Sequence, residues 1–148
     1  MPAIELSVGA PSGSMHLLGY FGEPAPQPLA GRLAELRAAR EARAREIVRL
    51  LAEAGAPVSF GDVAARATGP IGRPHLADAV VAAGYARDRQ DAFDRYLADG
   101  GPAAVPHRGL TAEEGLALIA ESGGAAVLAH PASLRMDGPA LSTYVARL

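Results

Sequence analysis

The period of the apolar residues changes twice along this chain, and that change limits the folds open to it. Near the start, Ile4-Glu5-Leu6-Ser7-Val8 alternates apolar and polar residues at the period of a strand, with Glu5 and Ser7 on the polar side. Gly9, Ala10, Pro11, Ser12 and Gly13 read as a turn, and Met15-His16-Leu17-Leu18-Gly19-Tyr20 as a second strand. From residue 29 to residue 100 the period is helical. Thr111 and Glu114 then form a capping box for a helix to Ser122, Ala125 to Ala129 is a short apolar run that reads as a buried strand, and a last helix starts near Pro139. Strand and helix segments at both ends predict an α/β chain with a parallel arrangement, interrupted by an all-helical block.

Within that block the spacing predicts a long helix carrying Leu29, Leu33, Leu36, Ile47, Val48 and Leu51, with Glu41–Arg45 and Arg49–Glu53 as outward i,i+4 pairs and Gly55 and Pro57 beyond its end. The stretch Phe21 to Pro28, with three prolines and a glycine, reads as a linker. Ser59 and Asp62 cap a short helix, Pro74 takes the first position of another, and Asp88 and Asp91 start a third that ends before Gly100-Gly101. Phe93, Tyr96 and Leu97 share one face of it and read as core. The expected division is residues 1–28 and 101–148 against residues 29–100.

Several function classes are excluded by composition. The chain has no cysteine, so disulfides, thiolate catalysis and cysteine-ligated metal are ruled out, and any metal must use histidine and carboxylate. A formal net charge of -2 gives no field that argues for bulk binding to nucleic acid or an anionic membrane. All 14 basic residues are arginine, and those of the long helix alternate with glutamates as a solvated face does. No apolar run approaches the length of a membrane span and no export signal is visible, so the expected compartment is the cytoplasm.

The residues that could carry chemistry are few. With a hairpin register symmetric about Ala10 and Pro11, Glu5 lies opposite His16 with Cβ atoms about 5 Å apart, where a carboxylate and an imidazole can share a metal. His130 closes the apolar run Ala125 to Ala129, and in α/β folds functional groups gather at the carboxyl ends of strands. Arg73 and His75 flank Pro74 at a helix start, where free N–H groups and the helix dipole favour an anion, and they are the expected substrate-binding pair. His107 and Arg108 read as a solvated loop pair.

The ordered set Ile4-Glu5-Leu6-Ser7, Met15-His16-Leu17-Leu18-Gly19-Tyr20, Ile71-Gly72-Arg73-Pro74-His75, Ala92-Phe93-Asp94-Arg95-Tyr96-Leu97, Gly100-Gly101-Pro102 and Val127-Leu128-Ala129-His130-Pro131 resembles the PHP (polymerase and histidinol phosphatase) phosphoesterases. The branch it resembles carries a helical insertion and is similar to nucleoside 3',5'-bisphosphate phosphatases that also act as RNA 5'-end exonucleases. The resemblance implies a partial distorted β/α barrel, seven-stranded when complete, with the helical block inserted. It also implies up to three divalent ions (manganese, zinc, iron or magnesium) with Glu5, His16 and His130 among their ligands. By the same resemblance the substrate is a nucleotide phosphate ester or the end of a short RNA, contacted by Arg73 and His75; no catalytic residue beyond these is assigned.

The family's Asp-x-His-x-His opening strand and its closing Asp-x-His strand have no counterpart in the sequence. The expectation is therefore an internal piece with impaired catalysis and with sheet edges prone to self-association. The rival expectation is a non-catalytic interaction module built on the helical block, with a vestigial metal site.

Overall fold

Alternation in β1 (Ala3–Val8) buries Leu6 and Val8 and leaves Glu5 and Ser7 exposed. β2 (Met15–Tyr20) does the same with the opposite phase, burying Met15 and Leu17. The two pair antiparallel with Leu6 opposite Leu17 and Val8 opposite Met15, so the apolar sets share one face. β3 (Ala125–Ala129) pairs with the other edge of β2, also antiparallel, giving the order β1-β2-β3. The computed structural model describes residues 1–22, 27–106 and 109–148, so His107 and Arg108 lie outside the described residues. The chain divides into two units, residues 1–34 with 108–148 and residues 35–107.

Two expectations about the first unit are corrected. The parallel arrangement is not what forms: β2 reverses direction through residues 9–14, so β3, its neighbour on the far side, runs antiparallel to it. Nor is β3 buried. It stands at the edge of the sheet, and Val127 is 48% exposed.

On the apolar face lies α5 (Ala112–Glu121), in contact with all three strands. Its start is fixed by the expected capping box: the Thr111 hydroxyl accepts from the Glu114 N–H at 3.1 Å, and the Glu114 carboxylate accepts from the Thr111 N–H at 2.8 Å. Gly115 permits the close packing, because a Cβ there would sit 2.7 Å from Val8 Cγ1. After β3 the chain forms one 3-10 turn, Pro131–Leu134, which buries Leu134, and then α6 (Gly138–Val145), capped by Asp137.

A long helix, α1 (Gln27–Glu53), begins earlier than the linker expectation allowed. Pro28 occupies its first turn, where a missing N–H breaks no intrahelical bond. Past Ala34 the helix belongs to the second unit, together with α2 (Phe60–Ala64), α3 (Arg73–Ala82) and α4 (Arg89–Ala92), the last running into a π-helical turn, Phe93–Leu97. Arg73 rather than Pro74 is the first residue of α3, with Gly72 as its cap.

Ile47, Leu51, Val63, Leu76, Val80 and Leu97 form the core of this unit with Tyr96, and Phe93 packs against it. Burying a side chain such as Leu51 contributes about 1.5–3 kcal/mol. Outward-facing arginines pair within α1, Arg45 with Glu41 at 2.7 Å and Arg49 with both Glu46 and Glu53. Among the described residues no helix is long and apolar enough to cross a membrane.

Candidate metal centre

The polar face of the sheet brings three distant side chains together. Glu5 is not opposite His16 as the sequence suggested. The register places Glu5 against Leu18 and His16 against Ser7, a shift of two residues. A two-residue shift preserves the face, so Glu5 and His16 become diagonal neighbours and still meet. Ala129 pairs with His16, which delivers His130 to the same place from the end of β3.

His16 Nδ1 lies 2.7 Å from Glu5 Oε1, His130 Nε2 lies 3.2 Å from the same oxygen, and the two ring nitrogens are 3.1 Å apart. The rings meet edge to face, with centroids 4.8 Å apart. The side chains are 30%, 50% and 52% exposed for His16, Glu5 and His130, so the cluster opens to solvent.

Whether these residues suit a divalent ion follows from their spacing and chemistry. With metal–nitrogen and metal–oxygen bonds of about 2.1 Å, donors at right angles stand about 3.0 Å apart and donors at the tetrahedral angle about 3.4 Å. The observed spacings of 2.7, 3.1 and 3.2 Å are close enough for the three atoms to share one divalent ion. Imidazole and carboxylate suit zinc, manganese and iron. The His130 and then the His16 ring beside it hold the Glu5 carboxyl below the usual carboxylate range, so it is the anion a cation requires.

The backbone supports the same reading. His130 has φ 29°, a left-handed conformation uncommon outside glycine. It turns the chain sharply out of β3 into the 3-10 turn. Ser133 Oγ lies 3.1 Å from His130 Nδ1, so the ring is held at the nitrogen away from the cluster while Nε2 points into it.

Curated relatives share this chain's sequence over most of its length. A 3',5'-nucleoside bisphosphate phosphatase of Chromobacterium violaceum is 33% identical over 130 residues, covering 86% of this chain and 46% of the relative. The 5'-3' exoribonuclease Rnm of Salmonella typhimurium is 32% identical over 147 residues, covering 99% of this chain and 50% of the relative. The chain is homologous to part of these phosphoesterases. It spans about half the length of the curated relatives it matches.

Solved structures agree in fold. An amidohydrolase from Chromobacterium violaceum, holding sulfate and no metal, superposes with a TM-score of 0.75 at 30% identity, over 98% of this chain and 52% of that one. A metal-dependent phosphoesterase from Bifidobacterium adolescentis gives 0.72 at 31% identity, over 87% and 46%. No family model matches the sequence. These neighbours are consistent with a PHP-type piece, as the motifs indicated.

The other expected site residues of this phosphoesterase relative lie in the second unit. The Arg73 guanidinium donates to Asp99 at 3.0 Å and stands 5.9 Å from the Phe93 ring centre. His75 Nδ1 accepts the Gly72 N–H at 3.0 Å, closing the cap of its own helix, so in the neutral ring the proton sits on Nε2. Arg40, Arg43 and Arg73 line a cleft of about 210 Å³ beside Gly72 and Pro74. Burial, and then the charge of Arg73, push the Arg43 guanidinium below its ordinary value, and it donates to the Val105 carbonyl. Sequence reasoning passed over Arg43 and Ser133. Arg43 sits in a helix full of arginines, and nothing in the spacing singled it out. For Ser133 a signal existed: a hydroxyl three residues after a histidine, across a proline that starts a tight turn.

Proposed function

We propose that this chain carries part of the metal centre and substrate site of a phosphoesterase that hydrolyses phosphate esters of nucleotides or short RNA ends. One observation supports this above the others: Glu5, His16 and His130, far apart in sequence, present three metal-donor atoms within bonding distance of one point. The sheet is then a segment of a PHP-type distorted barrel, residues 29–100 are its helical insertion, and the protein works in the cytoplasm.

Glu5 supplies negative charge, and His16 and His130 supply neutral nitrogen donors from adjoining strands. A divalent ion held by these three side chains would supply Lewis acidity and an activated water for phosphoester hydrolysis. Arg73 is suited to binding a phosphate. Its partner Asp99 has a side chain 98% exposed, so a phosphate oxygen displaces a solvated ion pair rather than a buried one. His75, with Nδ1 engaged by the Gly72 N–H, has an Nε2–H to donate to a phosphate oxygen.

Phosphate release from adenosine 3',5'-bisphosphate and from a 5'-phosphorylated RNA trinucleotide, with Mn2+ present, tests this on the natural polypeptide that carries the chain. Metal-dependent release that is lost in Glu5→Gln, with Arg73→Ala raising KM more than it lowers kcat, is expected. Release that is undiminished in Glu5→Gln overturns the assignment of the centre, and a KM unmoved by Arg73→Ala removes that residue from the substrate site.

A further inference from the structure

Resting on the metal-centre reading, we propose that Ser133 is the positioning residue for His130: its hydroxyl holds the neutral imidazole as the Nδ1–H tautomer, so that Nε2 offers a lone pair to the cation. The argument starts from one proton. Ser133 Oγ lies 2.8 Å from the Ser14 carbonyl and 2.9 Å from the His130 carbonyl. The His130 carbonyl already accepts the Ser133 N–H, whereas the Ser14 carbonyl can only accept and is the hydroxyl's shortest contact, which assigns the single hydroxyl proton to Ser14. Toward His130 Nδ1, 3.1 Å away, the serine oxygen can then act only as acceptor, and the ring must carry its proton there.

The consequence appears on the other side of the ring. In that tautomer Nε2 is a bare lone pair 3.2 Å from the Glu5 carboxylate oxygen and 3.1 Å from His16 Nδ1. Two lone pairs that face each other are repulsive unless a cation lies between them. Fixing the tautomer therefore preorganises the donor atom for metal, in the way a hydrogen-bonded partner on a ligand's far nitrogen commonly does.

Ser133 is itself held in place by contacts between its turn and the β1–β2 loop. The Ser14 N–H donates to the Ser133 carbonyl at 3.2 Å, and the Ser12 hydroxyl donates to the Leu134 carbonyl. Gly13, at φ 63°, allows that approach: a Cβ there would lie 2.0 Å from the Ser133 carbonyl oxygen. The serine is thus held by the same hairpin that carries His16, and His130, with its unfavourable backbone angle, is secured at both ring and main chain.

The alternative is that the hydroxyl only closes the turn. Zn2+ affinity, measured on the full chain by competition with a chromogenic chelator, separates the two when read with ring nitrogen NMR. Ser133→Ala is expected to weaken Zn2+ binding about 10–100-fold, and Ser133→Thr, which keeps the hydroxyl, to restore it. In the metal-free wild-type chain with the ring neutral, nitrogen–proton correlation is expected to show the His130 proton on Nδ1. Unchanged affinity in Ser133→Ala, equal loss in both variants, or a proton on Nε2 overturns the proposal. Should Ser133→Ala fail to fold, the wild-type tautomer decides. Absence of Zn2+ binding by the wild-type chain would sink the phosphoesterase reading instead, and the tautomer would still settle the role of Ser133.

Discussion

The two units use polar side chains in opposite ways. In the helical unit many are settled by near neighbours, Arg45 by Glu41, Asp62 by Ser59, Asp91 by Asp88 and Gly72 by His75, each three or four residues away, although Arg43, Arg73 and Arg89 reach farther. In the sheet unit Glu5, His16 and His130 meet across separations of 11, 114 and 125 residues. Local pairs of the first kind terminate and stabilise helices whatever the protein does. A carboxylate and two imidazoles brought together from distant positions at an open site are what a divalent cation could use.

If that contrast is right, damage to each unit should have a different signature. The largest stability effect is expected in the helical unit: Leu51→Ala, at a fully buried position, should cost about 2–5 kcal/mol, read by chemical denaturation, with Zn2+ affinity unmoved. A parallel loss of affinity would break the separation drawn between the units. Next comes Gly13→Ala. The positive φ alone costs about 1–3 kcal/mol, and the contact with the Ser133 carbonyl adds to it, so both stability and Zn2+ affinity should fall. A stable variant with normal affinity would show that the β1–β2 loop does not position the 3-10 turn.

Smallest is Arg49→Ala. It removes two ion pairs whose side chains are half exposed and screened by water, so the expected change is the smallest of the three and shrinks further as salt is added. Acid should sharpen the same comparison. Hydrogen bonding from Arg49 to Glu46, from Ser59 to Asp62, from Arg89 to Asp78 and from Arg87 to Asp91 holds these carboxyls below their ordinary values. Their contribution is therefore complete above the ordinary carboxylate range and lost as pH falls through the folded values. Metal binding requires deprotonated ligands, so acid should release Zn2+ as well. A titration followed by both Zn2+ release and circular dichroism should show metal release and helix loss as separate steps.

How much of this could be read from residues alone depends on how local each feature is. The helices of both units were legible because their signals lie within a few positions: Ser59 with Asp62, Asp88 with Asp91, Thr111 with Glu114. The hairpin was legible, but its register was not, because residues 9–14 do not specify which pairs close the strands. Glu5 and His16 nonetheless came together, since a slip of two residues keeps the face. The direction and exposure of β3 were missed for a similar reason. A short apolar run such as Ala125 to Ala129 reads the same in a covered parallel sheet and at an antiparallel edge, and its neighbours decide which. His130 was recognised from the motif around it and not from any spacing to Glu5 or His16.

The account stands or falls on the three residues acting as one site. Bound metal measured by elemental analysis on the chain and on His130→Ala, each exchanged against Zn2+ and then desalted, tests it most directly, with circular dichroism confirming that both are folded. The account predicts zinc retained by the first and lost from the second. Equal zinc in the two folded proteins would contradict it.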